Sequence, residues 1–489
     1  MTKLKAFVTK HDNLFVFLLL TLISAGFIFR NEIFGYDGLW VFGNLYKLAN
    51  GFHIYEDVNI ITFPLFYEVF KTLLSLFNNY LWYLMLNFLI ITPLYYTIYQ
   101  IFKICNVKKI VALLFTMLIA FITVRIGFFG PSYNTFALLL YLLGLFLFFK
   151  KKDSKYSFII QGLMTFLVLL THQKLGAAYV CSLLIFHLFS IKTEKKPIIN
   201  LIKTYSITFI LAALFVLVLF LTNKLNTFID LTLGGMGSFT NNCSFHIAAP
   251  FYLSGIFAFF VFTIICIKKK VNNYTALKTL VCFSIPALLV VYPIFNGYHF
   301  TLYFTVFFIV IFFTFYNIFV KLVDNKTIDK ILKIFTTIAI IFFIINSIIS
   351  VVHWGIKCNK TPGDLYFGSV LDKNMQAYTG ELSEYIDTLK EQNINYRIVS
   401  IHAMIFTLYD VPEKNNSFCD MPLRGNFGKE DWHRIINILD QDPEGTYIIV
   451  DKKVDDKFLI YQFPEGVFNY INDNYKHVKD FEVYSVYEK

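Results

Sequence analysis

The feature that most limits how this chain can fold is a succession of apolar runs of about 16 to 22 residues, the length of helix that crosses ~30 Å of hydrocarbon. Of the 489 residues, 57% are hydrophobic and only 16% are charged. One soluble core cannot bury that much apolar surface. The sequence therefore excludes a purely soluble protein and predicts eleven spans, at 14–29, 81–102, 110–124, 134–149, 156–171, 175–191, 204–221, 251–267, 279–295, 298–320 and 334–352.

The segments that connect these runs alternate between basic and almost free of Lys and Arg. The basic group comprises Lys3, Lys5, Lys10, Lys103, Lys108, Lys109, Lys150, Lys151, Lys152, Lys192, Lys195, Lys196, Lys268, Lys269, Lys270, Lys321, Lys326 and Lys330. Because basic connections stay in the cytoplasm, we expect a multi-pass cell-membrane protein with a cytoplasmic amino terminus and with the residues after 353 outside. If the stretch 63–77 were counted as a span, Lys103, Lys108 and Lys109 would lie on the outer side of the membrane. We therefore interpret this stretch as an outer interfacial helix. This topology explains the net charge of +10, and no nucleic-acid partner is implied.

Two predicted outer connections are long: 30–80, the first outer segment, and 222–250, the second outer segment. The first contains GLWVFGNLYKLA, an amphipathic stretch suited to lying at the membrane interface, and the second is glycine-rich. From about residue 354 charged residues become frequent, and apolar runs shorten to strand length at 395–401, 445–451 and 481–488, with an amphipathic helix at 429–440. We therefore expect a mainly α fold, with a polytopic helix bundle over 1–353 and a small extracytoplasmic α/β domain over 354–489.

Ionisable side chains avoid the middle of the predicted spans and collect near their outer ends. They are Glu32, Asp37, His53, Glu56, Asp57, Glu68, Arg125, His172, Lys174, His246 and His299. A transporter of polar solutes usually keeps such groups at mid-depth. The distribution therefore favours a site in an outward-facing cavity.

The order of motifs in the first outer segment resembles that of the GT-C superfamily of membrane glycosyltransferases. An acid soon after the first span is followed by an amphipathic helix, a G-x-x-x-Y-x-D motif and a Pro-Leu-aromatic run, here Tyr36, Asp37, Gly51, Tyr55, Asp57, Pro64, Leu65 and Phe66. The chain is most similar in shape to the protein O-mannosyltransferases and the bacterial lipid A aminoarabinose transferases. That resemblance implies a GT-C-like bundle that takes a sugar from a polyprenyl phosphate on the extracytoplasmic side.

Later stretches of the membrane half also resemble those of bacterial members of this superfamily. They are GPSYN with Tyr133 and Asn134, THQKLG with His172 and Lys174, and NGYHF with His299. The chain departs from many relatives at Gly38, where they carry a second acid, and at Thr62, where the aminoarabinose transferases begin a Lys-Pro-Pro-Leu motif. The resemblance covers the membrane half well and the last 135 or so residues hardly at all.

A single carboxylate suffices for sugar transfer from a phosphate, because the leaving group departs as a stable anion and needs no proton donor. We expect Asp37 to be the general base. The phosphate needs fixed positive charge, for which Arg125, Lys174 and His299 are the candidates, with Asp57, Tyr133, Asn134 and His172 as further substrate-binding residues.

Each of these residues also has a purely structural interpretation, which the sequence leaves open. Asp37 would cap a helix that begins at Gly38. Arg125 and His299 would sit at the interface, and Asp57 would order the loop. Tyr133 and Asn134 would cap and anchor a helix. Lys174 lies on the predicted outer side, where the positive-inside rule disfavours lysine. Its presence there favours a local function.

The sequence thus predicts a glycosyltransferase that uses a polyprenyl-phosphate-linked sugar and a cell-envelope glycan, lipid or protein acceptor at a bacterial membrane. The sequence assigns no cofactor with certainty. A Mg²⁺ or Mn²⁺ site on Asp37, Glu56 and Asp57 is a less favoured alternative. Two rival functions are an envelope polysaccharide polymerase and a non-enzymatic flippase or transporter of lipid-linked glycans. The absence of Arg from the second outer segment weighs against the first rival, and the lack of mid-membrane charge weighs against the second.

Overall fold

The computed structural model of the protein describes most of the chain. The described residues are 12–30, 36–56, 58, 60, 62–124, 131–151, 154–192, 196–230, 232, 274–291, 300–322, 325–361, 365–370, 382, 384–399, 432–451, 465–481 and 484–489. They are mainly helical, with one four-stranded sheet. The chain forms two compact units, the first over Met1–Arg30, Leu84–Phe215 and Ser244–Ile356, and the second over Asn31–Tyr83, Val216–Cys243 and Lys357–Lys489.

Long apolar helices account for most of the first unit, as the apolar runs predict. In chain order the helices up to residue 357 are α1 Asp12–Ile28, α2 Tyr36–Ala49, α3 Leu65–Leu74, α4 Tyr80–Leu86, α5 Phe88–Ile104, α6 Lys109–Val124, α7 Tyr133–Lys151, α8 Ser157–Thr171, α9 Gln173–Phe189, α10 Pro197–Leu221, α11 Leu225–Ile229, α12 Tyr274–Val291, α13 Phe300–Leu322 and α14 Asn325–Lys357. Helices occupy ten of the eleven predicted spans, and the run at 251–267 lies outside the described residues.

Four of the described helical stretches are long and apolar enough to cross a membrane. They are Tyr80–Ile104, Tyr133–Lys151, Pro197–Leu221 and Lys330–Lys357. Six further apolar helices are shorter, at Asp12–Ile28, Lys109–Thr123, Ser157–Thr171, Gln173–Phe189, Tyr274–Leu288 and Thr305–Asn317. These helices are those expected of a membrane protein, and the full count of eleven spans and their sidedness stay predictions.

Helix α3 falls within the ambiguous stretch at 63–77. It has ten residues, from Leu65 to Leu74, and is therefore about 15 Å long at 1.5 Å per residue. That is about half the thickness of the hydrocarbon layer, so α3 is too short to span it.

Glycines let helices of the first unit approach closely. A Cβ added at Gly176 in α9 would lie 2.5 Å from the Leu169 Cα in α8, and one added at Gly26 in α1 would lie 2.8 Å from the Ser347 Cα in α14. Membrane helices associate through such small residues, because hydrocarbon gives apolar faces little reason to leave lipid.

A buried polar network joins four helices of the same unit. The Tyr141 hydroxyl in α7 donates to the Phe283 carbonyl in α12 at 2.6 Å and lies 2.8 Å from Ser182 Oγ in α9. The Tyr179 hydroxyl in α9 donates to Gln161 Oε1 in α8 at 2.7 Å. These side chains are at most 2% exposed, so each bond satisfies a group that water does not reach.

Two lysines of the predicted cytoplasmic group contact the start of α1. Lys103 Nζ donates to Asn13 Oδ1 at 2.9 Å, and Lys109 forms an ion pair with Asp12. The beginning of α1, the end of α5 and the beginning of α6 therefore meet at one end of the first unit.

The second unit joins α2, α3 and the start of α4 to residues that follow α14. Asn79 caps α4 by accepting the Trp82 N–H at 2.9 Å. The N–H groups of Tyr80 and Leu81 donate to the carbonyls of Leu365 and Phe367, at 2.8 and 2.9 Å. The first turn of α4 thus has partners for donors that no intrahelical bond can satisfy.

The same unit contains a sheet with strand order β1-β2-β4-β3. Its elements are a helix at 384–391 (α15), β1 Tyr396–Val399, α16 Trp432–Gln441, β2 Tyr447–Asp451, α17 Glu465–Asn474, β3 Lys476–Asp480 and β4 Tyr484–Glu488. Strand β1 is parallel to β2, whereas β2 and β4, and β4 and β3, are antiparallel. Strands β1, β2 and β4 and helix α16 coincide with the elements that the sequence predicts. The prediction omitted α15, α17 and β3.

The two faces of this sheet are built differently. One face of the sheet packs on α15 and on Leu382 just before it. The strand residues of this cluster are Tyr396, Ile398, Ile449, Tyr484 and Val486, and those of the helix are Ile386 and Leu389. On the opposite face Arg397, 5% exposed, donates from Nε to Asp442 Oδ2 at 2.6 Å and also pairs through Nη2 with the other carboxylate oxygen. Lys489 Nζ donates to the carbonyls of Leu439, Asp440 and Asp442 at 3.0, 2.8 and 2.5 Å, which caps the carboxyl end of α16.

Replacing Gly176 with Ala should lower the free energy of unfolding by ~1–3 kcal/mol, because the backbone of Leu169 cannot move away without separating α8 from α9. The measurement is SDS-titrated unfolding of the full-length protein in detergent. Gly355→Ala in α14 is the matched control, since no atom lies within 4 Å of the added Cβ, and it should leave stability unchanged or slightly higher. Equal effects of the two substitutions would contradict the close packing.

Arg397→Met and Asp442→Leu should each lower stability by ~3–5 kcal/mol, because each leaves a buried charge without its partner. The double variant should lose much less, since both charges are then absent. The free energies of unfolding of the two single variants and the double variant are measured by titrating the full-length protein with urea. Brief proteolysis of residues 384–489 at each urea concentration reports the unfolded fraction. His477→Gln, which breaks the half-exposed pair with Asp480, should change stability by ~0.5 kcal/mol or less. Additive losses in the double variant would disprove the coupling.

Candidate functional site

The structure describes only some of the predicted site residues. Asp57, Arg125 and His299 lie outside the described residues. Asp37 is the second residue of α2, which begins at Tyr36. The helix thus starts two residues earlier than the capping interpretation requires, and Asp37 stands in its first turn, where the positive end of the helix dipole favours an acid. The Asp37 side chain is outside the described part.

Two of the predicted substrate-binding stretches meet in the first unit. Tyr133 is the first residue of α7, and its ring stacks on the His172 ring with a centroid distance of 5.9 Å and an interplanar angle of 23°. Asn134 follows it and is buried. Lys174 stands in the first turn of α9. The sequence predicted that these stretches share a site, and the ring contact brings GPSYN and THQKLG together.

His172 has a defined structural role as the N-cap of α9. Its Nδ1 accepts the N–H of Leu175 at 3.3 Å, and the side chain is largely buried. Since Nδ1 is an acceptor, the neutral ring carries its proton on Nε2. His172 can therefore act as a hydrogen-bond donor through Nε2 while its ring stays fixed against Tyr133.

The end of α2 leads directly into the G-x-x-x-Y-x-D motif. Gly51 has φ +93° and follows the helix as its C′ residue. The N–H of Phe52 donates to the Lys47 carbonyl at 3.2 Å and that of Gly51 to the Leu48 carbonyl at 3.4 Å, which is a Schellman motif. The glycine of the sequence motif is therefore explained by the left-handed conformation at the helix end.

Tyr55 lies in a tight turn over residues 53–58, which we call the Tyr55 turn. The Val58 N–H donates to the His53 carbonyl at 3.1 Å, and the Tyr55 N–H donates to the Val58 carbonyl at 2.9 Å. Tyr55 itself has φ +64°, a conformation that costs a non-glycine residue about 1–3 kcal/mol and that is concentrated at functional sites.

The Tyr55 side chain is held as firmly as its backbone. It is 4% exposed, and its hydroxyl donates to the Thr62 carbonyl at 3.2 Å. Burial raises the pKa of this hydroxyl well above its usual value, and the negative charge of Glu68 raises it further. The group therefore stays protonated and keeps its donor role across the physiological range.

The second outer segment packs against the Tyr55 turn. The Phe228 ring in α11 lies 5.4 Å from the Tyr55 ring and 5.1 Å from the Phe63 ring, measured between centroids. Lys224 Nζ lies 3.2 Å from Glu56 Oε2. Residues 233–250, which include the predicted glycine-rich stretch, lie outside the described residues. The described part of the second outer segment thus helps to hold the motif in its strained conformation.

Helix α2 is more deeply buried than the interfacial helix that the sequence predicts. The Phe42 ring contacts the rings of Tyr80, Tyr83 and Tyr366 at 5.2, 5.1 and 6.2 Å. Tyr366 follows α14 in the chain, far from α2. The hydrophobic periodicity of α2 therefore cannot show that Tyr366 covers Phe42. Lys47, a charged residue of the same amphipathic helix, is also buried, at 5% exposed.

Three residues of this region escaped the sequence analysis as site candidates: Lys47, Tyr55 and Phe228. Tyr55 belongs to the G-x-x-x-Y-x-D motif, so a signal for it was present. Phe228 and Lys47 belong to no motif. Phenylalanine is common throughout this apolar chain and lysine is common on amphipathic helices, so neither residue could be singled out from the sequence.

A metal site finds no support in the described residues, where no three His, Cys, Asp or Glu side chains gather as ligands. Of the three suggested carboxylates only the Glu56 side chain is described, and it pairs with Lys224.

Phe228→Ala should free the second outer segment, because a buried phenylalanine replaced by alanine costs ~3–5 kcal/mol. Trypsin cleavage after Lys224 in the full-length protein should become at least about tenfold faster, since cleavage follows the population of the opened segment. Phe220→Ala is the control, as Phe220 lies in α10 with 63% of its surface exposed. Unchanged cleavage of the Phe228 variant would show that the ring contacts do not hold the segment.

Comparison with models of protein families and with curated protein sequences found no match to this chain. The functional assignment therefore depends on the motifs and on the geometry described above.

Proposed function

We propose that the protein is an integral-membrane glycosyltransferase that moves a sugar from a polyprenyl-phosphate donor to a cell-envelope glycan, lipid or protein acceptor on the extracytoplasmic side. The observation that carries the proposal is that the motif of the first outer segment forms one structural unit. Helix α2 holds Asp37 in its first turn and ends in the Schellman motif that leads into the buried, strained Tyr55 turn.

The reaction needs one carboxylate base. An acceptor hydroxyl gives its proton to Asp37 while its oxygen bonds to the anomeric carbon of the sugar. The bond between that carbon and the phosphate oxygen breaks, and both its electrons leave with the phosphate anion. Atoms and charge balance without a cofactor, and a carboxylate base is needed on only one side of the sugar.

The contacts among distant segments support this assignment. The first outer segment, α11 of the second outer segment and residues 365–370 belong to one compact unit. Phe228 contacts Tyr55, Lys224 contacts Glu56, and Tyr366 contacts Phe42. These three segments are the ones that the charge pattern assigns to the outer side, so their mutual contact agrees with the proposed topology.

The first unit offers side chains suited to a phosphate or a sugar. His172 presents an Nε2 donor from a fixed ring, Tyr133 supplies an aromatic face, and Lys174 adds positive charge at the amino end of α9. Anions bind favourably at helix amino ends. We assign these three residues, with Asn134, to substrate binding, and keep Asp57, Arg125 and His299 as further candidates.

Asp37→Asn should lower sugar transfer by about 10²- to 10⁴-fold, because the amide keeps the shape of the carboxylate but cannot take a proton. The assay incubates membranes that contain the full-length protein with a panel of radiolabelled polyprenyl-phosphate hexoses and follows label into the envelope fraction. The thermal midpoint of the variant should match that of the parent.

Glu68→Gln is the matched control for this experiment. Glu68 is an exposed acid of the same unit, 2.7 Å from Lys71, and its loss should leave transfer unchanged. Near-normal transfer by Asp37→Asn would remove Asp37 from the mechanism.

A further inference from the structure

Helices α8 and α10 run side by side in the first unit and begin at the same end of it. A Cβ added at Gly162 in α8 would lie 2.7 Å from the Thr204 carbonyl oxygen in α10, and Thr208 Oγ1 donates to the Gly162 carbonyl at 3.0 Å. One turn earlier in α8, the centre of the Phe158 ring lies 5.5 Å from Lys203 Nζ. Because these contacts advance in the same direction along both helices, α8 and α10 are parallel.

Two lysines at this end of the helices are held against aromatic rings. One is Lys203, whose ammonium reaches from α10 to the Phe158 ring in α8. The other is Lys155, just before α8, whose Nζ lies 4.9 Å from the centre of the Tyr156 ring. Both lysines are exposed, and neither forms an ion pair with a carboxylate of the described residues. A ring face attracts an ammonium without neutralising its charge, so both groups keep N–H donors for an anion.

The sequence around these two lysines carries an excess of positive charge. Residues 150–155 contain four Lys and one Asp, and residues 192–203 contain four Lys and one Glu, so each segment has a net charge of +3. Lys150, in the last turn of α7, also lies over a ring, with its Nζ 5.7 Å from the centre of the Phe146 ring. The local charge therefore favours an anionic partner.

Each of the two lysines is continuous with exposed apolar surface. Ile159 and Leu163 of α8 follow Lys155 at intervals of four residues, and both are exposed. On α10 the exposed Ile210 follows Lys203 by seven residues, which places the two on the same side of the helix. We call these two rows the apolar stripes of α8 and α10. A cation at the head of an apolar stripe is complementary to a molecule with an anionic head and hydrocarbon tails.

We infer that this end of α8 and α10 binds an anionic phospholipid, with its phosphate on Lys155 and Lys203 and its acyl chains along the apolar stripes. The charge pattern assigns this end to the cytoplasmic leaflet, where anionic lipids give the membrane surface its negative potential. A soluble anion would match the lysines and leave the stripes uncovered. The inference goes beyond the proposed function and uses none of the residues assigned to sugar transfer.

The test measures how tightly lipids bind to the full-length protein in detergent, by native mass spectrometry. The probes are phosphatidylglycerol, phosphatidylethanolamine with the same acyl chains, and glycerophosphate. Phosphatidylglycerol should bind at least about tenfold more tightly than phosphatidylethanolamine, because only the former has a net negative charge for the two lysines. Glycerophosphate at the same concentration should not displace it, since it has no acyl chains.

The double variant Lys155→Gln, Lys203→Gln should bind phosphatidylglycerol at least about tenfold more weakly than the parent. Its binding of phosphatidylethanolamine should be unchanged, which checks that the variant is folded. Lys203→Arg should bind like the parent, because a guanidinium keeps the charge and also stacks on a ring.

Lys109→Gln is the matched control, since it removes one lysine of the same predicted cytoplasmic group, but one that already pairs with Asp12. It should bind phosphatidylglycerol like the parent, whereas Lys203→Gln should bind it more weakly. Equal losses in these two variants would overturn the inference, because any basic residue would then serve. Equal affinity for the two lipids, unchanged phosphatidylglycerol binding in the double variant, or displacement by glycerophosphate would also overturn it. The measurement requires no sugar transfer, so its failure would leave the proposed function standing.

Discussion

The constraint on which the rest of this structure depends is that a backbone in hydrocarbon must satisfy its own hydrogen bonds. Apolar runs of spanning length therefore become helices, and irregular backbone is restricted to segments that protein or water surrounds. In the described part of the first outer segment, irregular backbone at positive φ occurs at Gly51, at Tyr55 in the Tyr55 turn, and at Asn78. The proposed chemistry thus falls on irregular backbone that neighbouring helices hold in place.

The Tyr55 turn shows how such a strained element is kept in place. Its backbone closes on itself through Val58 and His53, its hydroxyl binds the Thr62 carbonyl, and its ring packs on Phe228 from a segment far along the chain. No one of these contacts exceeds a few kcal/mol, but together they offset an unfavourable conformation of about 1–3 kcal/mol. A turn held from several sides is rigid, and rigidity is what a site needs if it is to place a base and a phosphate at fixed positions.

Local patterns predicted the local structure well, and contacts between distant segments account for what they missed. Long apolar runs located the helices, short apolar runs located β1 and β2, and alternation located β4, because each of these signals lies within the element itself. Strand β3, KHVKD, is exposed at every position and carries charge at a sheet edge, so it has no apolar alternation to detect. The burial of Phe42 and the position of Phe228 involve contacts with Tyr366 and Tyr55, and no periodicity within α2 or α11 contains that information.

The two buried cations of the second unit illustrate different uses of the same costly feature. Arg397 meets a carboxylate that accepts two of its hydrogen bonds, so its charge is balanced within the fold and its removal is a matter of stability. Lys47 is equally withdrawn from water, and its ammonium lies 5.6 Å from the centre of the Phe52 ring, so an aromatic face contributes to its surroundings. The attraction of a ring face for a cation is less directional than two hydrogen bonds to a carboxylate, so it fixes the ammonium less tightly than Asp442 fixes the Arg397 guanidinium.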